Sequence, residues 1–396
     1  MSSDPLDMGG QFPGLLGDLM RMMQTEEPLQ WDLAVRFGQM VASDGKAEPN
    51  VDPSLRIRFE ELARLADLQV ADVTGMPTSR GGRPATFVAT GPAEWARRSL
   101  ESWRPLIELF AAAIGPVVTD ASDTDELSEQ EGVDLSALMS QWAKAIAPAM
   151  ISLQVGSAIG HLARRTLGQY ELPLPRKETD DIAVVPENVA RFASEWSLET
   201  DDVAVWAAAR DLAMHTVLSR PHVHDRYQEL LVAHAGTLRP DLQALAERLG
   251  EQPPGSFEEL GDLGRVLGGQ GGFDEADDSP EKRRVRAELG ALSAALEGYV
   301  DWATDAVASR VTGSRRPVAE AMRRRLIERT EEERSAEQLF GLDLDQETVD
   351  RGEAFVQGVL ERAGESELAR LWVDAAHLPT PAEIEAPGLW IARVNL

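Results

Sequence analysis

The sequence has no cysteine among its 396 residues. Disulfides, thiolate catalysis and cysteine-ligated zinc are therefore excluded, and any metal ion would need His, Asp or Glu as its ligands. Basic residues are also scarce, because 39 Lys and Arg stand against 67 Asp and Glu and give a net charge of -28. An acidic surface repels phosphate backbones and anionic lipids. We expect neither nucleic acid nor a membrane as a partner.

Long apolar runs and signal sequences are missing too. The N-terminus lacks the basic start and apolar run of a signal peptide, and no stretch is long enough to span a bilayer, so we predict a cytoplasmic protein. The chain has no G-x-S-x-G nucleophile motif and no phosphate-binding loop with its lysine. Hydrophobic residues still make up 43% of the chain, which is enough to bury a core.

Helical periodicity is what the sequence does show. Apolar residues recur at steps of three and four over residues 31–41, 55–68, 95–114, 135–167, 203–218, 281–311, 318–329 and 349–364. One β-branched run, 182–185, ends at a proline and predicts a strand. We therefore predict a mainly α fold with few short strands.

Composition suggests how the chain is organised. Residues 1–14 are rich in Ser, Asp, Gly and Pro and are predicted to be disordered. A helical N-terminal lobe is predicted over 15–180 and a second, interdependent lobe over 181–396. The second lobe contains a strongly helical segment at 200–218 and an acidic, Gly-rich loop at 253–278.

The start of that helical segment carries a capping signal. Thr200 stands where an N-cap residue is expected, and Asp201 and Asp202 follow in the first turn, where the helix dipole favours acidic side chains.

Several sequence blocks together resemble one family. They are GSAIGHLARRTLGQYELPLP at 156–175, VVPENVARFASEW at 184–196, LEGYVD at 296–301, LFGLDL at 339–344 and LPTPAEIEAPGLWIARV at 378–394. In order and spacing they are similar to actinobacterial zincin-like proteins, a family of unknown function whose members are called candidate hydrolases or zinc-dependent metalloproteases. The resemblance implies a mostly helical, zincin-like metalloprotease fold with an edge strand before a metal-binding helix.

The resemblance places a degenerate metal site on that helix. Zincins carry H-E-x-x-H, in which two histidines on one helix face bind zinc and the glutamate activates water. Aligned on Trp206, this chain has Arg210 at the first histidine, Asp211 at the general base and Met214 at the second histidine. Neither guanidinium nor thioether is an effective zinc ligand. Asp211 is thus expected to be non-functional as a base, and no bound metal is expected.

The block LEGYVD keeps an acidic residue, Glu297, that resembles the third zinc ligand of such proteins. By spacing alone, Glu297, Asp301 and Asp305 form an acidic stripe on one helix face, which is commonly solvated. A buried carboxylate without its metal needs another cation. We therefore hypothesise that Arg210 pairs with Glu297, and side chains more than roughly 6 Å apart would refute this. The alternative is that Arg210 points to water or binds a helical neighbour.

Three functions stay open from the sequence. The first is a pseudoprotease that binds a peptide or protein partner without hydrolysing it. The second is an active zinc-dependent hydrolase or peptidase that uses a shifted ligand set of Asp211, His215 and Glu297. His222 or His224 would be a further ligand if Pro221 turns the chain back. The third is a structural or assembly protein whose groove is filled by residues 255–278, which predicts no open pocket at Arg210.

Overall fold

The structure is a computed structural model that describes residues 29–80, 84–121, 135–177, 179–237, 279–313 and 316–396. Within these ranges the chain is mostly helical and forms two short strands, which confirms the mainly α prediction. The predictions of disorder at 1–14 and of a loop at 253–278 lie outside the described residues.

The first part of the chain packs helices around the strands. Its elements are α1 (Trp31–Ala42), α2 (Pro53–Thr74), β1 (Thr86–Ala89), α3 (Pro92–Ala121), α4 (Leu135–Ala163), β2 (Asp181–Val184) and α5 (Pro186–Glu195). α2 begins where the Asp52 side chain accepts the Ser54 N–H at 2.7 Å, and it ends at Gly75, whose φ of 65° few other residues adopt. Local sequence therefore sets both ends of this helix.

The second part contains helices and no strand among its described residues. Its elements are α6 (Thr200–Leu218), α7 (Pro221–Thr237), α8 (Pro280–Val311), α9 (Arg316–Ile327), α10 (Glu331–Leu339), α11 (Gln346–Ala363), α12 (Glu365–Leu368), two 3₁₀ helices (Ala369–Trp372 and Ala375–His377), α13 (Pro381–Glu385) and α14 (Pro387–Val394). α8 starts at Pro280 after Ser279, whose hydroxyl accepts the Lys282 N–H at 3.2 Å. Among the described helices, none combines the length and apolarity needed to cross a bilayer.

The two strands pair in parallel, with Thr86 opposite Asp181 and Ala89 opposite Val184. The strand predicted at 182–185 is confirmed, one residue earlier than expected, whereas β1 was not predicted. The pairing joins residues from both predicted lobes. The division at residue 180 stays a prediction.

α6 is the helix at the centre of the core. It is apolar on almost every side and packs against α2, α5 and α8, as a helix buried all round must. It begins at Thr200, so the N-cap position is Glu199, whose side chain makes no capping hydrogen bond. The prediction of Thr200 as the N-cap was wrong by one residue. Asp201 and Asp202 do lie in the first turn.

α8 and α11 approach so closely that only glycine fits at the contact. A Cβ at Gly298 would lie 2.3 Å from the carbonyl of Gly352, and one at Gly352 would lie 2.1 Å from the carbonyl oxygen of Ala294. Because these glycines have no side chains, the two backbones touch, which fixes the position of α8 against α11.

Candidate functional site

Arg210 is the exception on the buried part of α6. Between Val203 and Leu218 every other side chain is buried, whereas Arg210 is 19% exposed. Because a charge in such surroundings is costly unless it is paired, its contacts decide what this part of the helix can do.

Two carboxylates on α8 bind the Arg210 guanidinium. One terminal nitrogen donates to Glu297 Oε2 at 2.5 Å, and the other donates to Asp301 Oδ1 at 2.7 Å. The contact between Arg210 and Glu297 that the sequence hypothesis required is present, well inside its 6 Å limit. Asp301 belongs to the acidic stripe recognised from the sequence. Two of the three residues of that stripe, Glu297 and Asp301, contact the arginine.

The pairing outweighs the cost of burying the charge. Burial opposes the charge on Arg210, but Glu297 and Asp301 more than compensate and raise the guanidinium pKa above its ordinary value. Burial raises the pKa of Asp301 to about 6, although Arg210 acts in the opposite direction. Arg210 also lies over the Trp206 ring, with its guanidinium carbon 5.7 Å from the ring centre.

Asp211 uses its carboxylate to hold a loop. Its two oxygens accept the backbone N–H groups of Gln169 at 2.8 Å and Tyr170 at 3.0 Å. A Cβ at residue 168 would lie 1.9 Å from Asp211 Oδ2, so Gly168 makes room for the carboxylate. Burial nevertheless raises the pKa of Asp211 to about 7, against these hydrogen bonds. Both oxygens of the residue that the sequence resemblance places at the general-base position thus already accept hydrogen bonds.

Met214 and His215 are both enclosed by protein. Met214 is fully buried in the hydrophobic core. His215 Nδ1 lies 2.8 Å from the Tyr170 hydroxyl, and His215 Nε2 lies 3.2 Å from Asp180 Oδ1. Because Arg176 can only donate, at 3.4 Å, to the Tyr170 oxygen, we assign Tyr170 as donor to Nδ1 and Nε2–H as donor to Asp180. Burial lowers the pKa of His215 to about 4, so the ring is neutral at pH 7.

The shifted metal set is not assembled. Pro221 is the first residue of α7 rather than a turn, because proline at that position fits a helix start. His222 and His224 therefore lie within α7, and His224 faces the neighbouring Asp225 at 3.1 Å. Throughout the described ranges, no group of three or more His, Asp or Glu side chains is arranged to hold a metal ion. In the structure other groups contact Asp211, His215 and Glu297, so the ligand set of these three residues with His222 or His224 stays a prediction that the observed contacts do not support.

A cavity of about 100 Å³ lies beside Arg210. Its lining combines the ion pair with aromatic and aliphatic side chains, among them Trp206, Met322, Leu326 and Val349. The segment 255–278, proposed to fill the groove, lies outside the described residues. None of the described residues fills this space beside Arg210.

Comparison with known families identifies the protein class. The sequence model of the Zincin-like metallopeptidase family matches residues 29–391. The chain belongs to this family. A search of solved structures finds a protein from Chloroflexus aurantiacus described as a candidate hydrolase with a novel fold, at 20% identity and a TM-score of 0.60, covering 93% of this chain and 99% of that one. At this identity the likeness shows the fold alone. No curated protein matches.

Membership of the Zincin-like metallopeptidase family implies a zinc ion, and the residues present do not fit one. At the positions that the sequence resemblance aligns with the two histidines, Arg210 offers no lone pair and Met214 is enclosed in the core. The acidic position, Glu297, already binds a cation that is part of the chain. A second cation beside the guanidinium would be repelled. No hydrolytic step through zinc follows from this arrangement.

Proposed function

We propose that this protein is a non-hydrolytic member of the Zincin-like metallopeptidase family that binds a peptide or a protein segment. The observation that carries the proposal is the Arg210 guanidinium, bound by both Glu297 and Asp301 where the family resemblance places a metal ligand. A fixed positive charge supplies the counter-charge that a metal would supply, but it cannot lower the pKa of a bound water as zinc does.

The neighbouring cavity supports binding. Binding sites commonly combine apolar walls with a few well-placed polar groups. Here Trp206 and Leu326 supply apolar surface, and Arg210, Asp301 and Glu171 supply charge of both signs. A peptide offers the same mixture, namely aliphatic side chains together with amide and ionic groups.

Metal content of the purified protein is the first test. After dialysis against metal-free buffer, zinc is offered back and measured by elemental mass spectrometry. We expect well under one zinc per chain. Near-stoichiometric zinc that is lost in Asp211→Ala or His215→Ala would refute the proposal and support the shifted ligand set instead.

A restored motif gives a positive control for the same measurement. The triple variant Arg210→His, Asp211→Glu and Met214→His writes H-E-x-x-H into α6 and frees Glu297 from its guanidinium partner. We expect it to bind zinc where the natural chain does not. If the folded triple variant also fails to bind zinc, the inference that this helix keeps the position of a metal site is wrong.

Partner binding is tested by filling the cavity. Peptides selected from a random library against the natural protein should bind it and should lose affinity for Ala207→Leu, because Ala207 lines the cavity. Ala287→Leu is the matched control, since Ala287 is exposed near the start of α8 and does not line the cavity. Equal binding to both variants would place the peptide elsewhere and count against the proposal.

A further inference from the structure

α9 forms part of the cavity wall but is only lightly packed. It contributes Met322 and Leu326 to the lining. The buried residues of α9 are Val318, Ala321 and Arg325, of which just two are apolar and both are small. Its main helix-to-helix packing is on α6. An element that buries so little apolar surface is expected to open at lower free energy than the core.

Arginine contacts, rather than apolar packing, hold α9 down. Arg325 donates to Glu171 Oε1 at 3.0 Å and to the carbonyl of Arg165 at 2.7 Å, and its guanidinium carbon lies 5.6 Å from the Phe192 ring centre. The side chains of Arg325 and Glu171 are 9% and 20% exposed, so their ion pair is shielded from solvent. Arg323 makes a second, exposed pair with Glu353 at 3.1 Å.

The segments around α9 are held in place more firmly than α9 itself. The loop that carries Glu171 is fixed by Asp211 and by the Trp95 indole, which donates to the carbonyl of Gly168 at 3.1 Å. The helix before α9, α8, is anchored near its end by the buried residues Val307 and Ala308. The helix after it, α10, is followed by the buried ring of Phe340. A loosely held helix thus lies between two anchored segments.

The size of the cavity indicates what α9 does. At about 100 Å³ the space is smaller than the roughly 150 Å³ cavity that admits benzene, so a large side chain of a peptide does not fit within it while α9 is in place. We infer that α9 is a lid over the cavity and that the contact between Arg325 and Glu171 is its latch. The inference concerns access to the site of the proposed function, but it requires neither hydrolysis nor a known ligand.

The absence of cysteine allows a direct test. Ala207→Cys places a single thiol on the cavity floor, where Ala207 is 4% exposed. Its rate of reaction with the uncharged reagent N-ethylmaleimide, followed by intact mass, measures how often the lid opens. Ala208→Cys is the matched control, because Ala208 is the next residue on α6, is fully buried and does not line the cavity, so its rate reports unfolding of α6.

Breaking the latch should speed up the reaction at residue 207 alone. In Glu171→Gln we expect the rate of Ala207→Cys to rise on the order of tenfold, as loss of a charge-assisted hydrogen bond predicts, with no matching rise for Ala208→Cys. Arg325→Gln breaks the same latch from the other side and should give the same result if Glu171→Gln fails to fold. Arg324→Gln removes an exposed pair within α9, with Glu320 at 3.0 Å, at a residue that does not line the cavity, and should change the rate less than threefold or so.

Two outcomes would overturn the inference. One is an Ala207→Cys rate that is unchanged by both latch variants, which would mean that α9 does not control access. The other is an equal rise at residues 207 and 208, which would mean that the variants loosen α6 as a whole.

Discussion

Replacing Arg210 by methionine should destabilise the fold strongly. The substitution keeps most of the side-chain volume and leaves the carboxylate of Glu297, 5% exposed, without its cation. Two unit charges about 4 Å apart at an effective dielectric constant of about 20 attract by about 4 kcal/mol, and removing one partner of a buried pair typically costs 3–5 kcal/mol. Asp301 adds less because its side chain is 33% exposed. We expect a loss of about 4 kcal/mol in the free energy of unfolding.

Urea unfolding followed by tryptophan fluorescence measures this loss. The double variant Arg210→Met with Glu297→Gln should recover most of the stability, because the buried charge is then removed together with its partner. Arg58→Met is the matched control, since Arg58 also pairs with α6, through Asp201 at 2.5 Å, but its side chain is 53% exposed. The control should cost no more than about 1 kcal/mol.

The pH dependence adds a second readout. Arg210 opposes the rise that burial causes in the pKa of Asp301, so without the guanidinium this carboxylate should take up a proton more readily. The Arg210→Met variant should therefore lose less stability near pH 5 than near pH 8, by roughly 1 kcal/mol or more. An Arg210→Met loss no larger than that of Arg58→Met, or no recovery in the double variant, would refute the reasoning that this ion pair replaces a metal.

Further predictions concern other buried groups. Burial lowers the pKa of His215 to about 4, so its contribution to stability is present above its unfolded pKa of about 6.5 and is lost as the pH falls through 4, by up to about 3 kcal/mol. His215→Gln should make the urea midpoint of unfolding depend less on pH over that range. A pH dependence unchanged from the natural protein would contradict the assignment. Gly298→Ala should cost about 1–3 kcal/mol because its Cβ would meet the backbone of Gly352, whereas Gly290→Ala on the same helix, with open space at its Cβ, should stabilise by about 0.5–1 kcal/mol. Thermal denaturation compares the two, and equal effects would contradict the close approach of α8 and α11.

Much of the fold could be predicted from local sequence. Helical periodicity located most helices, and the proline-terminated run located β2, because these signals depend on neighbours along the chain. β1 was missed because Thr86–Ala89 is only four residues long and becomes a strand through its partner, 95 positions away. His222 and His224 were placed on a returning loop because Pro221 can end a helix as well as begin one.

The site was predicted only in part for a similar reason. The spacing of Glu297 and Asp301 put both on one helix face, and the presence of a cation at position 210 suggested the pair that the structure contains. The contacts of Asp211 with Gln169 and of His215 with Asp180 join residues that are distant in sequence. Neither has a local pattern, so neither could be found without the fold.

Arg210 is a covalent part of α6, so the positive charge at this site is not regulated in the way that a bound metal ion is. A bound ion is in exchange with solvent, so its occupancy follows the supply of metal and the presence of chelators. The guanidinium is held by covalent bonds opposite Glu297 and Asp301 and cannot dissociate. The positive charge opposite these two carboxylates is consequently set when the chain is synthesised, and it does not depend on the supply of a metal ion.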